Sequence, residues 1–355
     1  MRPTLSAAAV MMGSMEARSR TCAAFIGLLV ALGLLASPAQ GAPSEETIAA
    51  REYVLGAENV RADGSLPKNR VVVSWFGVAS LAVAMDGRVV LLDTFINGLP
   101  PSTCGVDDSQ PTDTSATGYV PLGYEQLVAL DPKAIFIGHG HYDHECYTGV
   151  LAARTTSPVV GLTQHCETAR AQAAAAGISA KIRCRTPLAA DAPFGAKKKI
   201  RPVGRRVKVT VIRNLHSGAA SAPPMDSDGA EAAMYRFRLR GFSFFWNNSA
   251  GPLREHAPAV LETMEGLPPT DVQFEATLGF GNPEQGFRDP ADYAEALRVD
   301  ELYSLHHDLF QNPVLSSALN DQMATELESR GLSSIFRPLQ DPDDYLVPMT
   351  FRVRG

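Results

Sequence analysis

Three runs early in the chain, "RVVVSWF" (70–76), "SLAVAM" (80–85) and "RVVLLDTF" (88–95), are β-branched or alternate apolar with polar positions. Such runs, separated by short turns, predict consecutive antiparallel strands, and the Asp-Gly of "MDGR" marks the second turn as a hairpin. Beyond residue 121 the period changes. Helical "GYEQLVAL", the apolar strand "AIFIG", helical "YTGVLAARTT", the strand "PVVG" and the Ala-rich helix "QHCETARAQAAAAG" alternate. Two longer strands follow, "RRVKVTVIRNLH" and "AMYRFRLRGFSFFWN", the second broken at Arg240-Gly241, and the last third alternates again as far as "YLVPMTFRV". Each half thus runs strands first and strand–helix alternation afterwards. That order predicts an α/β protein, a four-layer αββα sandwich of two mixed β-sheets with outer helices. Residues 70–355 form this domain, and 42–69, polar and broken by Gly and Pro, form a lead-in with one short helix. The polar stretches 96–120 and 217–230 read as long surface loops, a common place for functional rims.

At 45% hydrophobic and 20% charged residues, the 355-residue chain is composed like a globular protein with a sizeable core. Residues 1–41 differ. Arg18 and Arg20 precede the apolar run "CAAFIGLLVALGLLA", and the small residues of "SPAQGAP" follow, the marks of a secretory signal peptide cleaved after Gly41. The apolar run is short for a membrane span, which needs about 20 residues. The sequence therefore predicts a secreted or periplasmic protein with no stable membrane span after cleavage. Without residues 1–41 the chain has 29 basic and 37 acidic residues, a net charge of −8, a poor footprint for nucleic acid. Four cysteines remain, Cys104, Cys146, Cys166 and Cys184, and an even count in an exported chain points to disulfides. Cys166 with Cys184 would tie a helix to the strand after it, leaving Cys104 with Cys146. The basic run "KKKIRPVGRRVK" (197–208) reads either as a solvated hairpin or as a positive rim that attracts anionic substrates.

The chemistry concentrates in "GHGHYDHEC" (138–146), which holds three of the eight histidines. In an extended segment residues two apart point the same way, so His139 and His141 can converge on one metal ion. Asp143 and His144, past the turn, face a second position. This H-x-H-x-D-H spacing suits a paired metal site, with imidazoles for zinc-like ions and one hard carboxylate. A bound metal lowers the pKa of its water to about 7, which makes hydroxide available at neutral pH. His165 and His256, in predicted helices without ligand neighbours, are expected in surface or helix-cap roles. No Ser-His-Asp elbow, phosphate loop or dinucleotide fingerprint competes for the chemistry.

The stretch from His139 to His144 resembles the signature of the metallo-β-lactamase fold superfamily, and the order of later motifs is similar. "VVLLDTF" resembles the early strand ending in a buried aspartate, here Asp93, a residue that orients a ligand histidine from behind. "VIRNLHSG" supplies a single histidine, His216. "LYSLHHDLF" is similar to the last histidine motif of the branch that includes ascorbate-6-phosphate lactonase, with His306 as ligand and His307 in the variable place beside it. The resemblance implies His139, His141 and His216 on a first metal, and Asp143, His144 and His306 on a second.

One position departs from the pattern. Where an aspartate usually bridges both metals, this chain has Asn248, whose amide coordinates through oxygen but supplies no charge. The second metal is then expected to bind loosely, and Asn248→Asp to tighten it. The resemblance implies a hydrolase in which a metal-bound hydroxide, oriented by Asp143, attacks a small-molecule lactone, ester or phosphodiester, and the leading segment implies its export. The cofactor would be one or two zinc ions, with manganese or iron as alternatives. Two other classes use the same residues: an iron-binding oxidoreductase and a metal-binding module without turnover.

Overall fold

The computed structural model describes residues 42–96, 121–216, 230–249, 251, 253–277, 283–307 and 313–354. The expected signal segment, Cys104 and nearly all of both long polar loops lie outside the described residues. In chain order, α1 (Glu45–Leu55) precedes the strands β1 (Arg70–Trp75), β2 (Leu81–Met85) and β3 (Arg88–Leu92). Then come α2 (Tyr124–Ala129), β4 (Ile135–Phe136), α3 (Tyr142–Glu145), α4 (Thr148–Thr155), β5 (Val159–Val160), α5 (Thr163–Ala175) and β6 (Cys184–Arg185). The second half opens with β7 (Lys197–Ile200), β8 (Val207–Asn214), β9 (Ala232–Leu239) and β10 (Phe242–Asn247). It closes with α6 (Leu253–His256), α7 (Pro258–Glu265), β11 (Val272–Ala276), α8 (Pro283–Leu297), β12 (Glu301–Leu305), α9 (Pro313–Ser329), β13 (Phe336–Arg337) and β14 (Met349–Arg352).

Two seven-stranded sheets result, ordered β14-β1-β2-β3-β4-β5-β6 and β13-β12-β11-β10-β9-β8-β7. In each, the pairs nearer one edge are antiparallel and the rest parallel, so both sheets are mixed. Strand alternation explains the layering. Val71, Val73 and Trp75 face the second sheet and pack with Tyr235, Phe237 and Trp246, whereas Val72 faces outward beneath α1. The outer face of the second sheet buries Ile212, Met234 and Phe245 under α7, α8 and α9. The four-layer αββα sandwich read from the pattern is the observed architecture.

Three details depart from the sequence reading. "AIFIG" is paired as a strand only at Ile135–Phe136, because the chain turns at Gly138 towards the other sheet. The helix expected over "DYAEALRV" starts earlier, at Pro283, with Pro290 inside it. The last strand, β14, returns to the first sheet and pairs with β1. Cys166 and Cys184 form the expected disulfide, with Cα atoms 5.9 Å apart, between α5 and β6. No helix among the described residues is long and apolar enough to cross a membrane.

Candidate metal centre

Four strands end at one edge of the sandwich. His139 follows β4, His216 follows β8, Asn248 and Ser249 follow β10, and His306 follows β12. The histidine loop is laced to both sheets. Ile137 N–H still donates to Val160 in the first sheet at 3.1 Å, while the Gly138 carbonyl accepts from Ala233 N–H in the second at 2.7 Å. His139 pairs with Ala232 as an isolated antiparallel bridge. Asp93 and His306, each just past a strand, take left-handed backbone conformations (φ 55° and 66°). Side chains rarely adopt this region, and such conformations cluster where a site dictates direction. The His306 N–H donates to Val78 O at 2.9 Å, tying the last ligand motif to the β1–β2 turn.

The side chains fall into two contiguous sets. In the first, His139 Nε2 and His141 Nδ1 are 3.1 Å apart, and one donor atom each from His139, His141 and His216 lie within 4.8 Å of one another. In the second, His144 Nε2 and His306 Nε2 are 2.8 Å apart, and Asp143 Oδ2 is 3.4 Å from each. The His139 ring joins the sets, with centroids 3.8 Å from His144 and 4.0 Å from His216. Tetrahedral zinc with bonds of about 2.0–2.1 Å places neighbouring donors roughly 3.4 Å apart. The donor spacing and the donor chemistry of both sets fit a small divalent cation.

The nitrogens facing away from the donor cluster explain why the others face into it. Asp93 Oδ2 lies 2.6 Å from His144 Nδ1 and fixes a proton there, leaving the Nε2 lone pair inward. Ser249 Oγ donates its proton to Leu215 O at 3.0 Å and so accepts from His216 Nδ1 at 2.8 Å. Asn248 Oδ1 lies 3.2 Å from His139 Nδ1, while Asn248 Nδ2 donates to Asp93 Oδ2 at 2.6 Å. This orientation is the one in which Asp93 meets a donor instead of a second oxygen. Gly138 makes the contact possible, since a Cβ there would stand 2.1 Å from both Asn248 amide atoms.

Burial dominates the electrostatics. His139 and His144 are held well below the usual imidazole range, by burial first and by neighbouring rings second, so their lone pairs are available. His306 is lowered by burial, against the pull of Asp143. Burial pushes Asp93 well above the usual carboxyl range, opposed by hydrogen bonds from Gly138 N–H and Asn248. With the His144 ring, three donors converge on that carboxyl. The arrangement suits the ionised form, and a cation on His144 favours it further.

Several expectations need correction. Asn248 does not stand between the two donor sets as a bridge; its amide touches the outward Nδ1 side of His139 and His144, at 3.2 and 3.1 Å. His307 does not touch the ligand rings' outward nitrogens. It is buried between Ser304 (3.3 Å) and Ser316 (2.6 Å) and packs edge-on to Trp75, joining β12 to α9. Burial lowers it to about 3. Of the two roles expected for His165, surface or helix cap, the structure shows the cap, with the side chain fully buried. It caps α5, accepting from Leu162 N–H at 3.1 Å, and its Nε2 lies 2.9 Å from Glu231 O. His256 is exposed on α6. Cys146 is disulfide-bonded, and its expected partner Cys104 lies outside the described residues.

Ser249 escaped the sequence reading. A signal was present: β8 and β10 both run antiparallel to β9, so they end at the same edge and bring Ser249 beside His216.

No family model and no curated protein matches the chain. Solved structures do resemble it. Igni18, a metallo hydrolase from Ignicoccus hospitalis, is 15% identical with a TM-score of 0.47, over 80% of this chain and 100% of that one. Zinc-bound PqqB from Methylobacterium extorquens is 13% identical with a TM-score of 0.46, over 79% and 99%. CmlA, a diiron β-hydroxylase from Streptomyces venezuelae, is 13% identical with a TM-score of 0.47, and the match spans 54% of its length. In this chain two mixed seven-stranded sheets pack between outer helices, with the H-x-H-x-D-H loop at their common edge: it has the metallo-β-lactamase fold.

Proposed function

We propose that the protein is a metal-dependent hydrolase. His139, His141 and His216 hold one divalent cation, and Asp143, His144 and His306 hold a second. One observation carries this reading: two adjacent donor sets in which His139, His144 and His216 are each fixed through the outward nitrogen, by Asn248, Asp93 and Ser249. Held there, a divalent cation supplies Lewis acidity towards water and a substrate oxygen. Asp143 orients the attacking water by accepting a hydrogen bond from it. The Asp93–His144 pair keeps the His144 ring from rotating during turnover.

The substrate class is a lactone, ester or phosphodiester, taken as a small molecule, and zinc is the expected metal. Residues 1–41 direct export. A panel of chromogenic esters, lactones and phosphodiesters, run with zinc, manganese or iron added to metal-stripped protein, tests the activity. Metal-dependent turnover of one class is expected, abolished in His141→Ala. Metal binding without turnover of any class would leave a binding module. Two histidines and one carboxylate, the composition of the second set, also suit oxygen-activating iron. Iron in protein isolated from its native host, with oxygen consumption, would replace the hydrolase by an oxidoreductase.

A further inference from the structure

The outer face of the second sheet changes character along its strands. Where α7, α8 and α9 cover it, the face is Ile212, Met234 and Phe245. One step along each strand the helical layer stops and the same face becomes cationic. Register places Lys199 opposite Thr210 and Thr210 opposite Arg236, and in the next row Lys208 opposite Arg238. A cleft of about 470 Å³ lies over these rows, walled by the end of α7 at Gly266, Leu267 and Pro268.

Arg236 is the floor. It is 5% exposed, and its guanidinium is braced by Thr270 Oγ1, Ser243 Oγ and Pro269 O at 2.7, 3.2 and 2.8 Å. Around it Lys199, Arg201, Lys208 and Arg238 are exposed. Among the described residues, no carboxylate oxygen lies within 4.0 Å of their charged nitrogens. Asp271 is the acid whose charge reaches Arg236, against that of Arg238. Lys197 faces the C-terminal end of α7, where carbonyls attract a cation, so it is the least free of the group.

Like charges directly opposite on neighbouring strands destabilise a sheet, and Lys208 with Arg238 is such a pair. A chain of net charge −6 has no general excess of basic residues to place there. Strand and residue spacings spread the cations over roughly 10 Å by 7 Å, wider than one phosphate group spans. The volume suits a small molecule.

We propose that this cleft, on the outer face of β7, β8 and β9, binds a small ligand carrying two or more phosphate groups. The site is separate from the metal centre. Lys208 and Arg238 lie towards the strand ends opposite those that lead to His216 and the Ala232 bridge.

Calorimetric titration of the full chain, without added metal and at low salt, uses inorganic tripolyphosphate as probe. One binding event is expected, with monophosphate weaker by at least about tenfold, since it forgoes the charge-assisted hydrogen bonds that the further phosphate groups make. Lys199→Glu and Lys208→Glu, both at exposed positions, should each weaken tripolyphosphate about tenfold or more while leaving metal content and melting temperature unchanged. His139→Ala should leave tripolyphosphate binding intact. Equal affinity in wild type and Lys199→Glu, or binding lost in His139→Ala, would overturn the assignment. So would co-sedimentation with phosphatidylglycerol vesicles by protein that gives no heat with tripolyphosphate.

Discussion

The two donor sets differ in what stands behind them. His139 and His216 lean on neutral groups, the Asn248 amide and the Ser249 hydroxyl. The other set contains one carboxylate, Asp143, and leans on another, Asp93 behind His144. A cation in the first pocket meets neutral rings; in the second it meets one negative charge directly and a further one through an imidazole. In a buried site these charges act through a low effective dielectric. The second pocket should therefore load first, the reverse of the order expected from a missing bridge.

The largest effect is expected at His139, whose ring lies against both sets. His139→Ala should abolish metal-dependent turnover and weaken both binding events in a calorimetric titration. His306→Ala should remove only the tighter one. If His306→Ala instead removes the weaker event, the loading order is wrong.

Next comes Asn248→Asp. The new carboxylate would stand beside Asp93, where an amide N–H now lies 2.6 Å from Oδ2. An uncompensated buried charge costs about 3–5 kcal/mol. A melting temperature lowered by several degrees is expected for the metal-free protein. Unchanged stability with tighter metal would mean that residue 248 faces the cations after all.

Smaller and separable effects are expected from the supporting groups. Asp93→Asn should weaken the second pocket by about 10–100-fold and the first much less, and Ser249→Ala should do the opposite at the low end of that range. Equal loss from both pockets in either variant would mean that the supports are shared.

The smallest effect on either pocket is expected at His165. Burial holds its pKa at about 4, below the ordinary 6.5, so the folded chain refuses a proton that the unfolded chain accepts. Stability from this group is complete above pH 6.5 and falls as pH drops towards 4. His165→Gln should flatten that slope in denaturant titrations while leaving metal affinity unchanged. A loss of metal would tie the cap of α5 to the centre.

What was legible in the sequence was local. The H-x-H-x-D-H run declares its chemistry within six residues, and the apolar period declares the layers because alternate side chains must find different neighbours. Which nitrogen of a ring faces inward depends on groups far along the chain: Asn248 is 109 residues from His139. No local pattern encodes that, so the amide was read as a ligand. The destination of β14 was hidden for a similar reason, since "MTFR" carries a strand's period but not its partner.

The hydrogen on the Gly138 α-carbon has a consequence for anyone redesigning this protein. Because a methyl there would overlap the Asn248 amide at 2.1 Å, residues 138 and 248 behave as one locus. A library that varies residue 138 alone will return mostly inactive clones, whatever chemistry it installs. Pairing a larger residue at 138 with a smaller one at 248 opens a route that single steps close, and it is there that a rebuilt centre should be sought.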